Sequence, residues 1–395
     1  MGVAEKLTGW RVETLDSIHG ISAGEWDRCV GADDVLVSHR HLAALEDSGV
    51  AVPENGFTPC HVVLRDADGL LAAAAPAYLK THSLGEIGVD MGLRLAHERM
   101  VGPYYPKVQV EVPMTPIAGS RLLVRPGVDR PRAVSALAGA LQEMAVERAA
   151  SSVQIAYLAS GHGDPEILRE MQMATSENNT FRWRCGDDTS FSTFLGGMTS
   201  RRRHMIKQER RQVRSRGLGF RYFRGRDVRP EMASRVFDLY QSTYDRHTTE
   251  PDLNKAYFRN VFETMPELVD LSASTDGDSW TGVLLSLNGR TRGHALYWGQ
   301  AQDIRYLHFE QADYRSIERA FVTGLDMLDF GGTGAHKAPR GLRPEAVAHA
   351  MWFRDAGMRD VAIAACKRKT AFAETEREAE TARLPFAPGS EGRPG

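Results

Sequence analysis

Side chains that can carry charge or move a proton concentrate in three stretches of this 395-residue chain. The first, Met198 to Gly217, reads MTSRRRHMIKQERRQVRSRG and sets Arg201, Arg202, Arg203, Lys207, Arg210, Arg211, Arg214 and Arg216 against one acid, Glu209. On a helix, Leu195, Met198, Met205/Ile206 and Val213 would form a narrow apolar seam, with guanidinium around the rest. Such a run is either a solvated face or a surface for phosphate oxygens, which the planar fork of Arg suits. The second stretch runs from Tyr306 through Tyr314 to Glu318. It gathers His308, Glu310 and Gln311 where a strand gives way to a helix. These residues either cap that helix or handle a proton beside a substrate. The third is DFGGTGAHKAPRG, Asp329 to Gly341. A buried strand ends in Gly331, Gly332 and Gly334, and His336, Lys337 and Arg340 follow. Glycines let backbone N–H groups approach an anion, so this reads as a ligand loop as well as a tight turn.

Other chemistries lack their residues. HExxH, GxSxG, Walker A and dinucleotide GxGxxG spacings are absent. His39 and His41 stand two apart on an expected helix, face different ways and make a poor metal pair. No CxxC occurs among Cys29, Cys60, Cys185 and Cys366, which are expected to be free, reduced thiols. No metal and no cofactor is expected. Net charge is −2, from 49 basic and 51 acidic residues, so any nucleic-acid contact must be a local patch. The chain start has no apolar signal region, and the longest nearly apolar run, Leu70 to Leu79, is too short to span a bilayer. A cytoplasmic protein is expected.

The elements that must position these groups follow from periodicity. Ser22 and Glu25 announce a helix start before Trp26, and a second helix is expected over Ser38–Glu46. His61–Arg65 and Leu70–Leu79 form a hairpin about Asp66–Gly69. A helix over Asp129–Ala150 and a buried strand over Val153–Leu158 follow. The second half repeats this order: a helix over Glu231–Tyr244, extended runs at 268–274, 279–287 and 292–300, a helix over His308–Val322, and a short strand at Leu325–Phe330. The pattern is α+β with internal duplication. The expected domains are residues 1–180 and 186–375, with 376–395 as a largely disordered tail.

The motifs resemble those of the FemAB-like "peptidoglycan biosynthesis/recognition" family of GNAT-like acyltransferases. The resemblance rests on Ser38 to Glu46, on Tyr104-Tyr105-Pro106-Lys107, on the SRRRHMIKQERRQV helix, and on His308-Phe309-Glu310 with Gly334 to Pro344. It implies tandem GNAT-like domains and kinship with Fem-type ligases, which move an aminoacyl group from charged tRNA to an amine. A glycine-rich N–H cradle for the pyrophosphate of coenzyme A is missing from the strand-to-helix junction Tyr297–Glu310. It is missing too from Lys80–Gly92, the expected counterpart in the first half.

The expected function is therefore an aminoacyl-tRNA-dependent transferase that forms an amide on an amine acceptor, a cell-wall precursor or a natural-product intermediate. A CoA-dependent N-acyltransferase and a non-catalytic precursor- or RNA-binding protein are the alternatives. Lys337 and Arg340 are expected to stabilise charge at the reacting centre, and His308 and Glu310 to accept the amine proton or hold the amine. Tyr297, Gln311, Tyr314, Gly332, Gly334 and His336 are expected to contact substrate. Arg201, Arg202, Arg203, Lys207, Arg210, Arg211 and Arg214 are expected to bind tRNA phosphates.

Overall fold

The computed structural model describes residues 9–86, 91–159, 163–245, 251–332 and 334–386. The chain folds as two compact units. One comprises residues 1–178 and 346–375, the other 179–345 and 376–395. The units are thus not two successive segments. Residues 346–375, expected with the second domain, belong to the first unit.

In chain order the first unit holds β1 (Arg11–Leu15), α1 (His39–Asp47), β2 (Phe57–Pro59), β3 (His61–Arg65), β4 (Leu71–Ala75), β5 (Ala77–Lys80), α2 (Met91–Met100), β6 (Lys107–Val110), β7 (Leu123–Val124), α3 (Arg130–Glu147), β8 (Ser152–Leu158) and α4 (Asp164–Glu170). The expected hairpin is β3–β4. Asp66 closes its turn by accepting from the N–H groups of Asp68 and Leu70, and Gly69 takes φ 77°. Strand β4 stops at Pro76, which has no N–H for the ladder, and β5 resumes beyond it in the other sheet. Strand β6 pairs antiparallel with β5 but parallel with β8. The helix of that crossover, α3, starts at Asp129, whose side chain accepts from the Arg132 N–H, and buries Val134, Leu137 and Leu141 against Val108, Val110 and Ile155.

Strand β9 (Ala174–Arg184) leads into the second unit. There follow α5 (Phe191–Gly196), α6 (Ser200–Arg214), β10 (Gly219–Arg224), α7 (Met232–Asp245), α8 (Lys255–Thr264), β11 (Val269–Asp276), β12 (Ser279–Asn288), β13 (Arg292–Gln300), α9 (Arg315–Thr323), β14 (Met327–Asp329), β15 (Arg343–Phe353) and α10 (Ala356–Thr381). The sheet order β10-β11-β12-β13-β14-β9 is antiparallel except for β13–β14, which is parallel. Each unit therefore carries one parallel strand pair bridged by a helix within an otherwise antiparallel sheet. This is the duplicated α+β, GNAT-like plan.

The junction between the crossover strand and its helix is Gln300 to Phe309 in the second unit, as expected. In the first it is the stretch from Glu111 to Asp129 that follows β6 and includes β7, not Lys80–Gly92, of which residues 87–90 lie outside the described residues. The expected tail also differs. Helix α10 continues to Thr381, and Phe386 packs 6.0 Å from Phe194 in the apolar cluster around Trp183, Ile317 and Leu328. A run of Ala and charged residues keeps the helix going well past 376. Residues 387–395 lie outside the described residues. No described helix is long and apolar enough to cross a membrane.

Candidate functional site

The site lies in the second unit, where β13 leaves its parallel partner and the chain turns into α9. The approach is strained: Tyr306, a non-glycine residue, holds φ 67°. The first turn, Phe309–Tyr314, is π-helical, a geometry frequent at functional sites. It sets Glu310, Gln311, Asp313 and Tyr314 inside the unit, and all four are buried.

Helix α6 is anchored to this turn. Ile206, Glu209, Arg210 and Val213, spaced i, i+3, i+4 and i+7, are its buried residues. Two of the four are charged, and each meets a counter-charge. Arg210 Nε donates to Glu310 at 3.0 Å, and its Nη1 and Nη2 donate to Glu318 at 2.7 and 3.0 Å. Glu209 accepts from Arg340 Nη2 at 2.7 Å and from the Tyr314 hydroxyl. Arg340 further donates to Tyr314 at 2.9 Å and to the His336 carbonyl at 2.9 Å, and stacks 3.5 Å over the Phe309 ring. Glu310 also meets Arg315 at 2.9 Å. Burial pushes the Glu310 carboxyl up, against the pull of Arg210 and Arg315.

Lys337 donates to the carbonyls of Phe330 and Gly331, at 2.5 and 3.2 Å, and so pins the glycine loop to the end of β14. Its burial pushes its pKa down. The expected loop and helix-start residues are therefore brought together. The two expected charge-stabilising cations, however, spend their donors on the protein itself. Gly332 is packed where a Cβ would come 2.8 Å from the Asn179 carbonyl, and Gly334, at φ 120°, where one would meet the His336 ring at 2.6 Å. Thr333 lies outside the described residues.

Two imidazoles remain at this place. His308 lies 5.2 Å from the Trp298 ring and 5.7 Å from His336, which in turn lies 5.1 Å from Phe309. Burial first, then His336 and the charges of Lys337 and Arg340, hold His308 down at about 4. Burial and the same two cations hold His336 at about 4. Both rings are neutral at pH 7. Asp313, fully enclosed, is pushed up to about 7 by burial.

Two expectations change. Tyr297 is buried in a cluster with Tyr240, Tyr257 and Phe258, facing helices α7 and α8 rather than the imidazoles. Among the residues expected to bind phosphate, Arg210 points inward to two carboxylates. Arg203 is half-buried and donates to the Met198 and Gly196 carbonyls. Arg202 is half-buried as well, whereas Arg201, Lys207, Arg211 and Arg214 are exposed. Lys207, Arg211 and Arg214, at i, i+4 and i+7, share one face. The roles of Glu209, Asp313 and Trp298 were not expected. The available signal was an acid–base pair occupying two positions of an i, i+3, i+4, i+7 pattern.

The family model for FemAB-like proteins, described as peptidoglycan biosynthesis/recognition, matches residues 17–388. The chain belongs to the FemAB-like family. Its fold is shared with several solved structures at low identity. FemX is 14% identical with a TM-score of 0.56, the match covering 88% of this chain and 99% of that one. The C-terminal DUF2156 domain of an Agrobacterium fabrum protein described as a lysylphosphatidylglycerol synthetase is 11% identical with a TM-score of 0.53, covering 87% and 94%. A Bacteroides thetaiotaomicron protein of unknown function is 7% identical, with a TM-score of 0.53 and coverage of 86% and 99%. No curated protein matches the sequence significantly. FemAB-like membership gives the coarse assignment, an acyltransferase-type protein connected with peptidoglycan.

Proposed function

We propose that this FemAB-like protein is an aminoacyltransferase that moves an aminoacyl group from aminoacyl-tRNA onto an amine acceptor. The carrying observation is the coupling of α6 to the site. Glu209 and Arg210 lock the inner face of α6 onto the π turn through Arg340, Tyr314, Glu310 and Glu318. Lys207, Arg211 and Arg214 are thereby presented outward as a fixed cationic stripe beside the reacting centre. A long polyanion fits such a stripe.

In the proposed step the amine nitrogen bonds to the ester carbonyl carbon. The bond to the ribose oxygen breaks, neutral His308 takes the amine proton, and the leaving oxygen regains a proton. Holding the two reactants together supplies most of the acceleration. Burial first, reinforced through space by the charges of Lys337 and Arg340, keeps His308 and His336 unprotonated and able to accept.

The junctions also disfavour coenzyme A as donor. In the first unit, Glu111–Asp129 has two separated glycines, Gly119 and Gly127 (the latter at φ 87°), rather than a glycine-rich run; Asp129 takes up the Arg132 N–H, and Pro131 has none to offer. In the second, the π turn opens on Phe309 and Glu310 rather than on glycines. The reading is tested by recovering the protein at low salt and sequencing co-purified RNA. Enrichment of one tRNA isoacceptor group that loses affinity with salt is expected. Nucleic-acid-free protein that binds acetyl-CoA instead would replace this reading with the CoA-dependent one.

A further inference from the structure

We infer that a groove in the first unit, between α4 and α10, is a binding site for a short zwitterionic peptide, with the peptide's carboxylate at Lys367 and its ammonium at Glu374. The groove encloses about 490 Å³, a volume within the range of small-ligand sites. Every residue that lines it belongs to the first unit, and none takes part in the transfer step proposed above. Small residues keep it open: Gly163 before α4, Ala348 on β15 and Ala371 on α10 put no bulk into the space.

Lys367, Thr370, Ala371 and Glu374, at i, i+3, i+4 and i+7 of α10, make one wall. Lys367 and Glu374 are exposed, and among the described residues neither side chain has an ion-pair or hydrogen-bond partner. They stand about two turns apart, roughly 10 Å along the helix axis. An extended peptide advances about 3.3–3.6 Å per residue, so about three residues join the two charges. The other charges of the groove are placed differently. Arg169 is committed to Glu166 at 2.7 Å and to Thr175 at 3.1 Å. Glu177, whose N–H donates to Thr370 Oγ1 at 3.1 Å, adds a carboxylate part-way along the wall. Lys367 is therefore the cation left for an anionic group, and the positive end of a ligand belongs on the acidic side.

A third feature points to a peptide rather than to two separate ions. Ser176, on β9, is 2% exposed, and its hydroxyl borders the groove with no hydrogen-bond partner. A buried hydroxyl of this kind is uncommon and costs stability until a partner is found. A peptide carbonyl lying in the groove supplies the acceptor. An uncapped peptide thus offers a partner to each of the three groups, whereas a dianion or a dication would meet a like charge at one end.

The probe is trialanine, titrated into the full chain and followed by isothermal calorimetry. Binding is expected, with N-acetyl-trialanine and trialanine amide each weaker by about two- to fivefold, the worth of an exposed ion pair. Lys367→Gln should weaken trialanine by a similar factor and leave trialanine amide unchanged. Glu374→Gln should weaken trialanine and leave N-acetyl-trialanine unchanged. Ser176→Ala should weaken all three peptides yet melt no lower than the parent, because its hydroxyl is unsatisfied in the free protein. Absence of trialanine binding, capped peptides that bind as well as the free one, or charge variants that weaken capped and uncapped peptides alike would overturn the site. The titration needs neither donor nor turnover, so its outcome is independent of the donor assignment.

Discussion

Replacing Arg340 by Met should destabilise the second unit rather than simply slow turnover. Arg340 joins Glu209, Tyr314 and the His336 carbonyl in one buried network. Its removal leaves the Glu209 carboxylate, which is 7% exposed, with the Tyr314 hydroxyl as its described partner. Breaking one side of a buried ion pair costs about 3–5 kcal/mol, because the remaining charge is no longer compensated. For a unit of this size each kcal/mol lowers Tm by about 2–4 °C, so a fall of about 6–20 °C is expected. Differential scanning calorimetry of the full chain reads this directly. Adding Glu209→Gln in the Arg340→Met background removes the stranded charge and should restore part of the loss. A variant that melts like the parent while losing turnover would refute the argument, and would return Arg340 to the reacting centre as a charge stabiliser.

Three further outcomes follow from the same geometry. Ala at Lys207, Arg211 and Arg214 together should reduce the slope of log affinity for tRNA against log salt by about 2–3, with an unchanged melting curve; an unchanged slope would make the stripe a solvated face. Gly299→Ala should destabilise by at least about 1–3 kcal/mol in thermal melts, because its Cβ would lie 2.1 Å from the Leu239 carbonyl and push α7 off the sheet; a neutral effect would contradict that packing. Turnover that depends on neutral His308 should hold steady down through pH 6.5 and fall only as pH approaches about 4, and Lys337→Met should shift that fall to higher pH; a limb at 6.5 in the parent protein would contradict it.

Linkage gives the stability side of the same shift a definite sign. Because the folded pKa of His308 is depressed, the unfolded chain binds more protons between about 4 and 6.5. The stability this neutral ring contributes is complete above pH 6.5 and is lost as pH falls toward 4. Asp313, raised to about 7, acts oppositely as pH rises from 4 to 7. The clean readout is therefore the difference between the parent and His308→Gln, which should narrow across that acid window.

The duplicated fold was legible because its strands and helices carry strong local signals. Asp66–Gly69 closes a hairpin, Asp129 caps α3, and Ser38 caps α1. The junction in the first unit was misplaced because only strand pairing across the unit, the parallel β6–β8 pair, decides which strand feeds the crossover helix. The domain boundary could not be read from local pattern, since β15 and α10 return to the first unit only through long-range contacts. The convergence of most candidate residues was legible, but not the partners each one takes. His308, Glu310, Gln311, His336, Lys337 and Arg340 do converge. What composition could not say is that Arg210 and Glu209 turn inward and satisfy Glu310 and Arg340. A cation's availability depends on partners 100 or more residues away, such as Glu310 for Arg210.

The central claim is the donor, and one measurement addresses it most directly. RNA-free protein is incubated with a complete set of tRNAs charged with radiolabelled amino acids and with a panel of peptidoglycan-type peptide amines. Acetyl-CoA is run in parallel on the same amines. Label appearing in an amide from one charged tRNA, with no acetyl transfer, is the expected result. Acetyl transfer from acetyl-CoA to the same amines, with every charged tRNA left intact, would contradict the claim.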